Sequence, residues 1–555
     1  MSEAETLLDG LDEQQRQAAE ALLGPVCMLA GAGTGKTRAI THRIAYGVAS
    51  GVYPPGRVMA LTFTSRAAGE LRSRLRGLGA AGVTARTFHA SALSQLNFFW
   101  PQVVGGTMPK LIDSKARLLA HAADALHLKL DTATLRDAAA EIEWRKVSRM
   151  SIDQYGASGR AMPPTLTIER SADLQRAYES LKDERRQLDF EDVLLAAAGM
   201  IELEPRVAQQ VREQYRFFVV DEYQDVSPLQ HDLLTLWLGE RNDVCVVGDA
   251  SQTIYSFAGA SPDYLLGFPA AYEDAVVVRL EQNYRSTPAI VDAANRLMRG
   301  RPGALSLHSV REAGPTPEVH AAQNDSQEAR SIATAIAAEI AAGVAPNEIA
   351  VLYRINVQGT AIEAALDDAG VSYLLRGATR FFDLKEVKEA LMLLKGASVT
   401  TAATEPLFKT VSDVLRSLGW TQEGPEVRGA VRDRWESLNA LMQLAEEAAA
   451  GTTLRAFVDE LFERQAGQHD PTRAAVTLST IHAAKGLEWD SVYIAGLSEG
   501  YLPISYARTE EAVEEERRLL YVGVTRARKQ LCLSWSGQQG RKPSRFLAEL
   551  QRLST

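Results

Sequence analysis

The sequence GAGTGKT at residues 31–37 directly follows the apolar run PVCMLA at residues 25–30. An apolar run, a glycine-rich turn and a helical pattern predict the strand–loop–helix unit that binds phosphate groups. Glycine lets successive N–H groups converge on phosphate oxygens, and the helix N-terminus favours negative charge. Lys36 is then expected to reach the β- and γ-phosphates, and the Thr37 hydroxyl to ligate Mg²⁺. The alternative is a chance glycine turn, but the order of the three elements favours a nucleoside triphosphate site.

A second apolar run, FFVV at residues 217–220, ends in the carboxylates Asp221 and Glu222. Asp221 lies where a carboxylate would hold Mg²⁺ through water, and Glu222 where one would orient and deprotonate the attacking water. Solvated turn residues are the alternative interpretation. With the phosphate loop upstream, the pair favours cleavage of ATP over binding alone.

The composition is that of a globular protein of 555 residues with a net charge of −10. This charge argues against a uniformly basic surface, so any DNA contact must come from local grooves. Cys27, Cys245 and Cys532 each lie in an apolar run and no CxxC spacing exists, which makes a zinc or iron–sulfur site improbable. The N-terminus is polar and no apolar run reaches about 18 residues, so we expect a cytoplasmic protein without a membrane segment.

Short apolar runs alternate with helical patterns in two blocks of the chain, which predicts parallel sheets. Two mainly helical stretches lie between the runs, at about 100–185 and 391–471. The predicted fold is therefore α/β, with two doubly wound parallel-sheet cores that each carry a helical insertion. The predicted strands are residues 26–30, 57–63, 216–222 and 243–249 in the first block, and 348–354, 475–481, 491–496 and 530–535 in the second.

Further motifs accompany the phosphate loop, one before it and the others after it, in a fixed order. They are LDEQQRQAA (11–19), LTFTSRAAGELRSRL (61–75), TFHA (87–90), LDFEDVLL (188–195), GDASQTIYSFAGA (248–260), LEQNYRST (280–287), VLYRINVQ (351–358), FFDLKEVKE (381–389), TIHAAKGLEWD (480–490) and VGVTRAR (522–528). On these motifs the chain resembles the UvrD/Rep/PcrA-type superfamily 1A DNA helicases from about Leu11 to Leu547. Within that group, GDASQTIYSFAGA most resembles the second UvrD-like paralogue of actinobacteria. The resemblance implies two RecA-like cores that use one ATP and Mg²⁺.

The resemblance also implies roles in the ATPase site. Gln252 would sense the γ-phosphate, while Arg285 and Arg526 would be arginine fingers, with Arg518 and Arg528 as alternatives. Gln15 would contact adenine, although an exposed helix residue is the alternative. The implied catalytic residues are Lys36, Asp221, Glu222, Gln252, Arg285 and Arg526, of which Asp221 would hold Mg²⁺ with Thr37. The implied nucleotide-binding residues are Gln15, Ala32, Gly33, Thr34, Gly35, Lys36, Thr37, Arg38, Tyr284 (stacked on the base) and Glu488 (on the ribose).

For DNA, the resemblance implies strand contacts in both cores. Tyr255 and Phe257 would stack on bases, and Arg354 would contact the backbone. The usual Trp-Arg pair of the family is replaced here by Phe257 and Ala258, so the Arg contact is absent. His89 could instead be a packed core histidine. The implied DNA-binding residues are Thr62, Phe63, Thr64, Ser65, Arg66, His89, Tyr255, Phe257, Arg354, Thr480 and His482.

By this resemblance, residues 1–100 and 186–287 form core 1A, and 288–390 and 472–555 form core 2A. Residues 101–185 form insertion 1B, and 391–471 a reduced insertion 2B, for which we expect weak unwinding of long duplexes. The expected function is 3′→5′ translocation on single-stranded DNA and unwinding of 3′-tailed duplexes, in repair or replication-associated processing. A helicase–nuclease subunit and a nucleotide-gated clamp are the alternatives. We expect a nucleoid-associated monomer or weak dimer with a repair-protein partner, and no C-terminal accessory domain before Thr555.

Overall fold

The computed structural model describes residues 3–550 except 131, 159–165, 377–381, 383, 401–404, 424–429, 447, 450, 468–474, 506 and 538–539. Phe381 and Asp383 of the FFDLKEVKE motif lie outside the described residues. The chain divides into two compact units. The first contains Met1–Glu281 and Gly300–Ser306, and the second contains Gln282–Arg299 and Leu307–Thr555.

The first unit contains a six-stranded sheet in which every neighbouring pair is parallel. Its strand order is β3-β2-β6-β7-β1-β8, and β4 pairs with β5 in a separate two-stranded sheet. The strands are β1 Val26–Ala30, β2 Val58–Thr62, β3 Thr84–Thr87, β4 Lys110–Leu111, β5 Gln187–Leu188, β6 Phe217–Val220, β7 Val244–Gly248 and β8 Val276–Leu280.

Both faces of this sheet are buried. In β6, Phe217 and Val219 pack into one core, whereas Phe218 and Val220 pack into the core on the other face. Successive side chains of a strand point to opposite faces, so a strand covered on both sides consists entirely of apolar residues. This explains why the central strands are continuous apolar runs in the sequence.

Helices cover the sheet and form a separate insertion. The insertion has its own core between α6, α7 and α9, which includes Leu119, Ile142 and Tyr178. The helices of this unit are α1 Glu3–Thr6, α2 Glu13–Glu20, α3 Lys36–Ala49, α4 Ser65–Gly77, α5 Phe88–Val103, α6 Lys115–Ala125, α7 Thr132–Val147, α8 Ile152–Gly156, α9 Ile168–Glu184, α10 Phe190–Leu203, α11 Pro205–Gln214, α12 Pro228–Leu238, α13 Asp263–Leu266 and α14 Phe268–Ala271.

The second unit contains another six-stranded parallel sheet, in the order β11-β16-β15-β12-β14-β13. Its strands, together with the short pair β9 and β10, are β9 Gln282–Asn283, β10 His308–Ser309, β11 Glu318–Ala322, β12 Ile349–Tyr353, β13 Tyr373–Arg376, β14 Val476–Thr480, β15 Trp489–Ile494 and β16 Ala527–Ser536. Its helices are α15 Pro288–Met298, α16 Asp325–Ala341, α17 Asn356–Ala369, α18 Lys385–Thr400, α19 Leu407–Ser417, α20 Ala430–Glu446, α21 Leu454–Gly467, α22 Glu510–Val524 and α23 Leu547–Leu550. Helices α18–α21 surround a core of their own that includes Leu394, Leu441 and Phe457.

The predicted fold class is confirmed, because both cores are parallel sheets and all eight predicted runs contain strands. In the two six-stranded sheets the sequence interpretation missed four strands, β3 and β8 in the first and β11 and β13 in the second, and it also missed the short pairs β4–β5 and β9–β10. The first four are the outermost strands of the two six-stranded sheets. Within the described part of the chain, no helix combines the length and apolar character needed to cross a membrane.

Candidate nucleotide and DNA site

The phosphate loop joins the end of β1 to the start of α3, as the sequence predicts. Gly33 and Gly35 have φ of 72° and 78°, in the left-handed region that favours glycine. A Cβ added to Gly35 would lie 2.6 Å from Nε2 of Gln15, so the loop also needs the small residue for space. Lys36 is the first residue of α3, at the helix end that attracts negative charge.

Lys36 lies among three carboxylates at the ends of neighbouring strands. Its Nζ is 3.3 Å from Oε1 of Glu222. Burial disfavours the ammonium charge, but Glu222, Asp249 and Asp221 outweigh it, so the pKa of Lys36 is raised above its ordinary value. Burial raises the pKa of Asp249 in spite of the nearby Lys36. Lys36 is therefore held as a cation at the carboxyl edge of the sheet, where a polyphosphate would meet it.

Glu222 has an unusual backbone conformation. Its φ is 53°, in a region that non-glycine residues rarely adopt and that often marks functional sites. Nε2 of Gln224 donates to Oε2 of Glu222 at 2.5 Å, and Oε1 of Gln224 accepts the N–H of Asp249 at 3.0 Å. Gln252 in turn donates through Nε2 to Oδ2 of Asp249 at 2.8 Å. A chain of hydrogen bonds thus links Glu222 to Gln252.

The sequence interpretation assigned no role to Gln224 or Asp249, although both lie in motifs that it identified. Asp249 follows β7 directly, and β7 lies between β6 and β1 in the sheet. Since ligands of parallel α/β sheets bind beyond the carboxyl ends of the strands, the position of Asp249 could have been inferred had the strand order been known.

Two predicted nucleotide-binding residues are engaged with the protein itself. Gln15 is 1% exposed, and its Nε2 donates to the carbonyl of Thr34 at 2.9 Å. It is therefore a buried support of the phosphate loop rather than the exposed helix residue of the alternative interpretation. Arg38 donates to the carbonyl of Gly10 at 2.9 Å and so ties α3 to the turn before α2.

The residues around Lys36 fit a magnesium ion that is shared with phosphates. Thr37 supplies a hydroxyl at the start of α3, and Oδ1 of Asp221 accepts the N–H of Glu222 at 2.9 Å at the end of β6. Among the described residues, no group of three or more His, Cys, Asp or Glu side chains could hold a metal. Because Mg²⁺ usually takes one or two carboxylates with water and phosphate, a hydroxyl and a carboxylate are a suitable donor set.

The second unit brings Arg285, Arg526 and Glu488 together. Nε of Arg285 is 2.6 Å from Oε2 of Glu488, and its Nη1 donates to the carbonyl of Thr525 at 3.2 Å. Arg526 is buried and donates through Nε to the carbonyl of Val522 at 2.9 Å and through Nη2 to the hydroxyl of Thr525 at 3.1 Å.

Of the two alternative arginine-finger residues, Arg528 is already engaged in ion pairs within the second unit. It pairs with Asp490 at 2.7 Å and also with Glu348. Burial lowers the pKa of Arg518. Tyr284, next to Arg285, is 38% exposed and presents an aromatic ring at the surface of the unit.

In the first unit, residues 62–66 form the turn between β2 and α4. Thr62 is buried and donates to the carbonyl of Thr64 at 3.1 Å. Thr64 is the N-cap of α4, because its hydroxyl accepts the N–H of Ala67. Ser65 is exposed, whereas Phe63 and Arg66 are half-buried. Thr62 therefore supports the turn, and the others lie at its surface.

In the first unit, the predicted DNA-binding residue His89 has an aromatic partner, Phe190, to which the sequence interpretation assigned no DNA contact. The ring of His89 stacks on Phe190 with centroids 4.0 Å apart. Burial lowers the pKa of His89 to about 4, so the ring is neutral at pH 7. Tyr255 and Phe257 pack edge to face at 6.0 Å, and Phe257 is 61% exposed.

In the second unit, Arg354, Thr480 and His482 meet at the carboxyl ends of β12 and β14. Tyr353 of β12 and Thr480 of β14 are paired in register, which places the residues that follow side by side. Nη2 of Arg354 is 2.8 Å from Oε1 of Glu516, in a largely buried ion pair. Burial, with Arg354 and Lys485 nearby, lowers the pKa of His482 to about 4. The sequence interpretation did not anticipate Glu516 as the partner of Arg354.

Models of known protein families match both units of the chain. The model of the UvrD/REP helicase N-terminal domain matches residues 11–273, and that of the UvrD-like helicase C-terminal domain matches residues 278–404 and 400–538. The chain belongs to the UvrD-like helicase family. The resemblance inferred from its motifs is therefore confirmed.

Individual relatives agree with this assignment. The ATP-dependent DNA helicase UvrD2 of Mycobacterium tuberculosis (strain H37Rv) is 48% identical, over 98% of this chain and 82% of the relative. DNA helicase II of Escherichia coli K12 is 30% identical, over 98% of this chain and 88% of the relative. The ATP-dependent DNA helicase PcrA of Bacillus subtilis is 29% identical, over 98% of this chain and 86% of the relative.

Proposed function

We propose that this family member is an ATP-dependent DNA helicase that moves along single-stranded DNA in the 3′→5′ direction. The observation that carries the proposal is the group formed by Lys36, Glu222, Asp249 and Gln252 at the carboxyl edge of the first sheet. Such a group binds and cleaves a nucleoside triphosphate. The names of the similar proteins, which include ATP-dependent DNA helicases, support DNA as the substrate.

In the proposed reaction, Lys36 grips the phosphates and Glu222 accepts a proton from the attacking water. The ion pair between them has a consequence for this step. A γ-phosphate that attracts the ammonium of Lys36 weakens the ion pair between Lys36 and Glu222, whose charged atoms are 3.3 Å apart. Nucleotide binding would therefore make the carboxylate of Glu222 a better proton acceptor. Mg²⁺, held by Thr37 and Asp221, would neutralise charge on the phosphates when bound.

Gln252 is proposed to sense the γ-phosphate through its contact with Asp249, and Arg285 and Arg526 to serve as arginine fingers. Glu488 and Tyr284 are proposed to contact the ribose and the base. The single strand is proposed to run over residues 62–66, His89, Tyr255 and Phe257 in the first unit, and over Arg354, Thr480 and His482 in the second. The domain boundaries given above, a role in repair and a repair-protein partner belong to the same proposal.

The proposal is tested by measuring ATP hydrolysis with and without single-stranded DNA, and then unwinding of 3′-tailed and 5′-tailed duplexes. We expect DNA to stimulate hydrolysis, and only the 3′-tailed duplex to be unwound. The control is Glu222→Gln, which should bind nucleotide and DNA without turnover. Unwinding from the 5′ tail would refute the polarity. Translocation without any strand separation would support the nucleotide-gated clamp instead.

A further inference from the structure

The segment from residue 57 to residue 86 carries an unusual concentration of positive charge. It contains six arginines, no lysine or aspartate and one glutamate, in a chain with a net charge of −10. The six are Arg57, Arg66, Arg72, Arg74, Arg76 and Arg86. A local basic surface on an acidic protein is the electrostatic mark of a nucleic-acid contact. The proposed function uses only Arg66 of this group.

The structure places four of these arginines on helix α4 and one, Arg86, on the edge strand β3. Helix α4 buries Ala68, Leu71 and Leu75, so its arginines lie on the outer side of the helix. Arg72 and Arg76 are exposed. From Arg66 to Arg76 the helix rises about 15 Å.

Arg72 connects this row to strand β3 at the edge of the sheet. Its Nη1 donates to the carbonyl of Ala85 at 2.5 Å, and the next residue, Arg86, is exposed. Arg86 pairs in register with Leu61 at the carboxyl end of β3, so it lies beside the turn and outside the row on the helix. We name the three arginines of this row, Arg66, Arg72 and Arg76, the α4 track.

Most of this charge is not neutralised within the unit. Glu70 pairs with Arg74 at 2.5 Å, which removes Arg74 from the row. Among the residues that the structure describes, no carboxylate lies within ion-pair distance of the α4 track. Guanidinium groups without carboxylate partners suit phosphate oxygens, which they contact with two parallel hydrogen bonds.

We infer that the α4 track binds the phosphates of single-stranded DNA beyond the turn at residues 62–66. The inference rests on the proposed function, because that function brings the strand to Arg66. A flexible strand leaving the turn can follow the exposed side of α4 and meet Arg72 and then Arg76. Its contacts carry no base preference, because they involve the backbone alone.

The test compares two double variants with the same change in charge. Arg72→Gln and Arg76→Gln together remove the α4 track beyond Arg66. Arg206→Gln and Arg330→Gln together remove two exposed arginines elsewhere and serve as the control. Fluorescence anisotropy gives Kd for a short and a long oligothymidine, and for a 3′-tailed duplex with a short tail, at several salt concentrations. Circular dichroism and ATP hydrolysis on the short oligonucleotide check that each variant is folded and active.

We expect the track variant to bind the long single strand more weakly than the control variant does. The slope of log K against log salt should decrease in magnitude by about 1.4, which corresponds to about 0.7 for each of two lost phosphate contacts. Binding of the short oligonucleotide should stay unchanged. Equal binding of the long strand by both variants would overturn the inference. A loss confined to the tailed duplex would also overturn it and assign the track to duplex DNA. If wild-type protein binds neither oligonucleotide, the proposed function itself fails.

Discussion

Lys146→Met should locally destabilise the first unit, because the ammonium of Lys146 lies in a buried cluster of charges. Its Nζ is 2.7 Å from Oδ2 of Asp189 and 2.6 Å from Oδ1 of Asp192, and Asp189 is 0% exposed. Lys182 and Glu179 complete the contacts, with Lys182 Nζ 3.2 Å from Asp189 and Lys146 Nζ 3.0 Å from Glu179. The cluster joins α7 and α9 of the insertion to the N-terminus of α10.

Removal of one partner from a buried ion pair costs about 3–5 kcal/mol, because the other charge stays buried without compensation. Because Lys182 still faces Asp189 in the variant, we expect a loss of stability at the lower end of this range, about 3 kcal/mol. The control is Arg176→Met on the same helix as Lys182. Arg176 pairs with Asp153 and Asp173 at the surface, so its loss should change stability far less than the loss of Lys146 does.

Hydrogen exchange measured by mass spectrometry reports this loss locally. Peptides from α7, α9 and α10 should exchange about a hundredfold faster in Lys146→Met than in wild type, since each 1.4 kcal/mol is a factor of ten. Peptides from α16 and α17 in the second unit should exchange at the wild-type rate. Equal protection of α10 in Lys146→Met and Arg176→Met would refute the argument.

The same cluster gives a pH dependence. Burial raises the pKa of Asp189, but Lys146 and Lys182 outweigh it and hold the pKa below its ordinary value. A carboxylate of this kind contributes stability above its unfolded pKa of about 3.9, and loses it as the pH falls below that value. Tyr178, Asp192 and Glu179 also face the cluster. The difference between wild type and Lys146→Met should be complete at pH 7 and should shrink below about pH 4.

Three further predictions concern the proposed ATPase and DNA contacts. Lys36→Ala should abolish hydrolysis, whereas Glu222→Gln should keep nucleotide affinity and stop turnover; normal turnover would exclude Glu222 as the base. Arg285→Ala and Arg526→Ala should each lower the DNA-stimulated kcat by about 10³, with a much smaller change in nucleotide affinity. Near-normal kcat in either would make that arginine a structural residue. Phe257→Ala should reduce unwinding more than hydrolysis, and proportional losses in parallel assays would contradict a stacking role.

The sequence predicts the centres of both sheets, and polar residues explain why it misses two of the four edge strands, β11 and β3. Strand β6, with four buried residues, reads as FFVV, whereas the edge strand β11 reads as EVHAA and has no fully buried residue. An edge strand is open to solvent on one side, so polar residues interrupt its apolar pattern. β3, with sequence TART and one buried residue, was missed for the same reason. The edge strands β8 (VVVRL) and β13 (YLLR) are mainly apolar, so this reason does not explain why they were missed.

The candidate site likewise contains residues that can be predicted from the sequence and residues that cannot. Residues of the phosphate loop and the carboxylates after β6 can be predicted, because their chemistry depends on neighbours in the sequence. Gln224 and Glu516 act through residues far from them along the chain. Gln224 bonds to Asp249, 25 positions away, and Glu516 pairs with Arg354, 162 positions away. Such contacts depend on the strand order, which periodicity alone does not supply.

The ion pair between Arg354 and Glu516 changes how the DNA-binding assignment has to be tested. Arg354 donates to both carboxylate oxygens of Glu516, which also accepts the N–H of Ile504. Glu516 belongs to α22, and Arg526 follows two residues after that helix ends at Val524. Arg354→Ala would leave Glu516 buried and unpaired, so the resulting strain on α22 could disturb Arg526 without any change at the DNA. Weaker DNA binding in that single variant is thus not diagnostic. Arg354→Met combined with Glu516→Met removes both charges, and DNA binding that recovers in the double variant would mean that Arg354 positions α22 rather than contacting the strand.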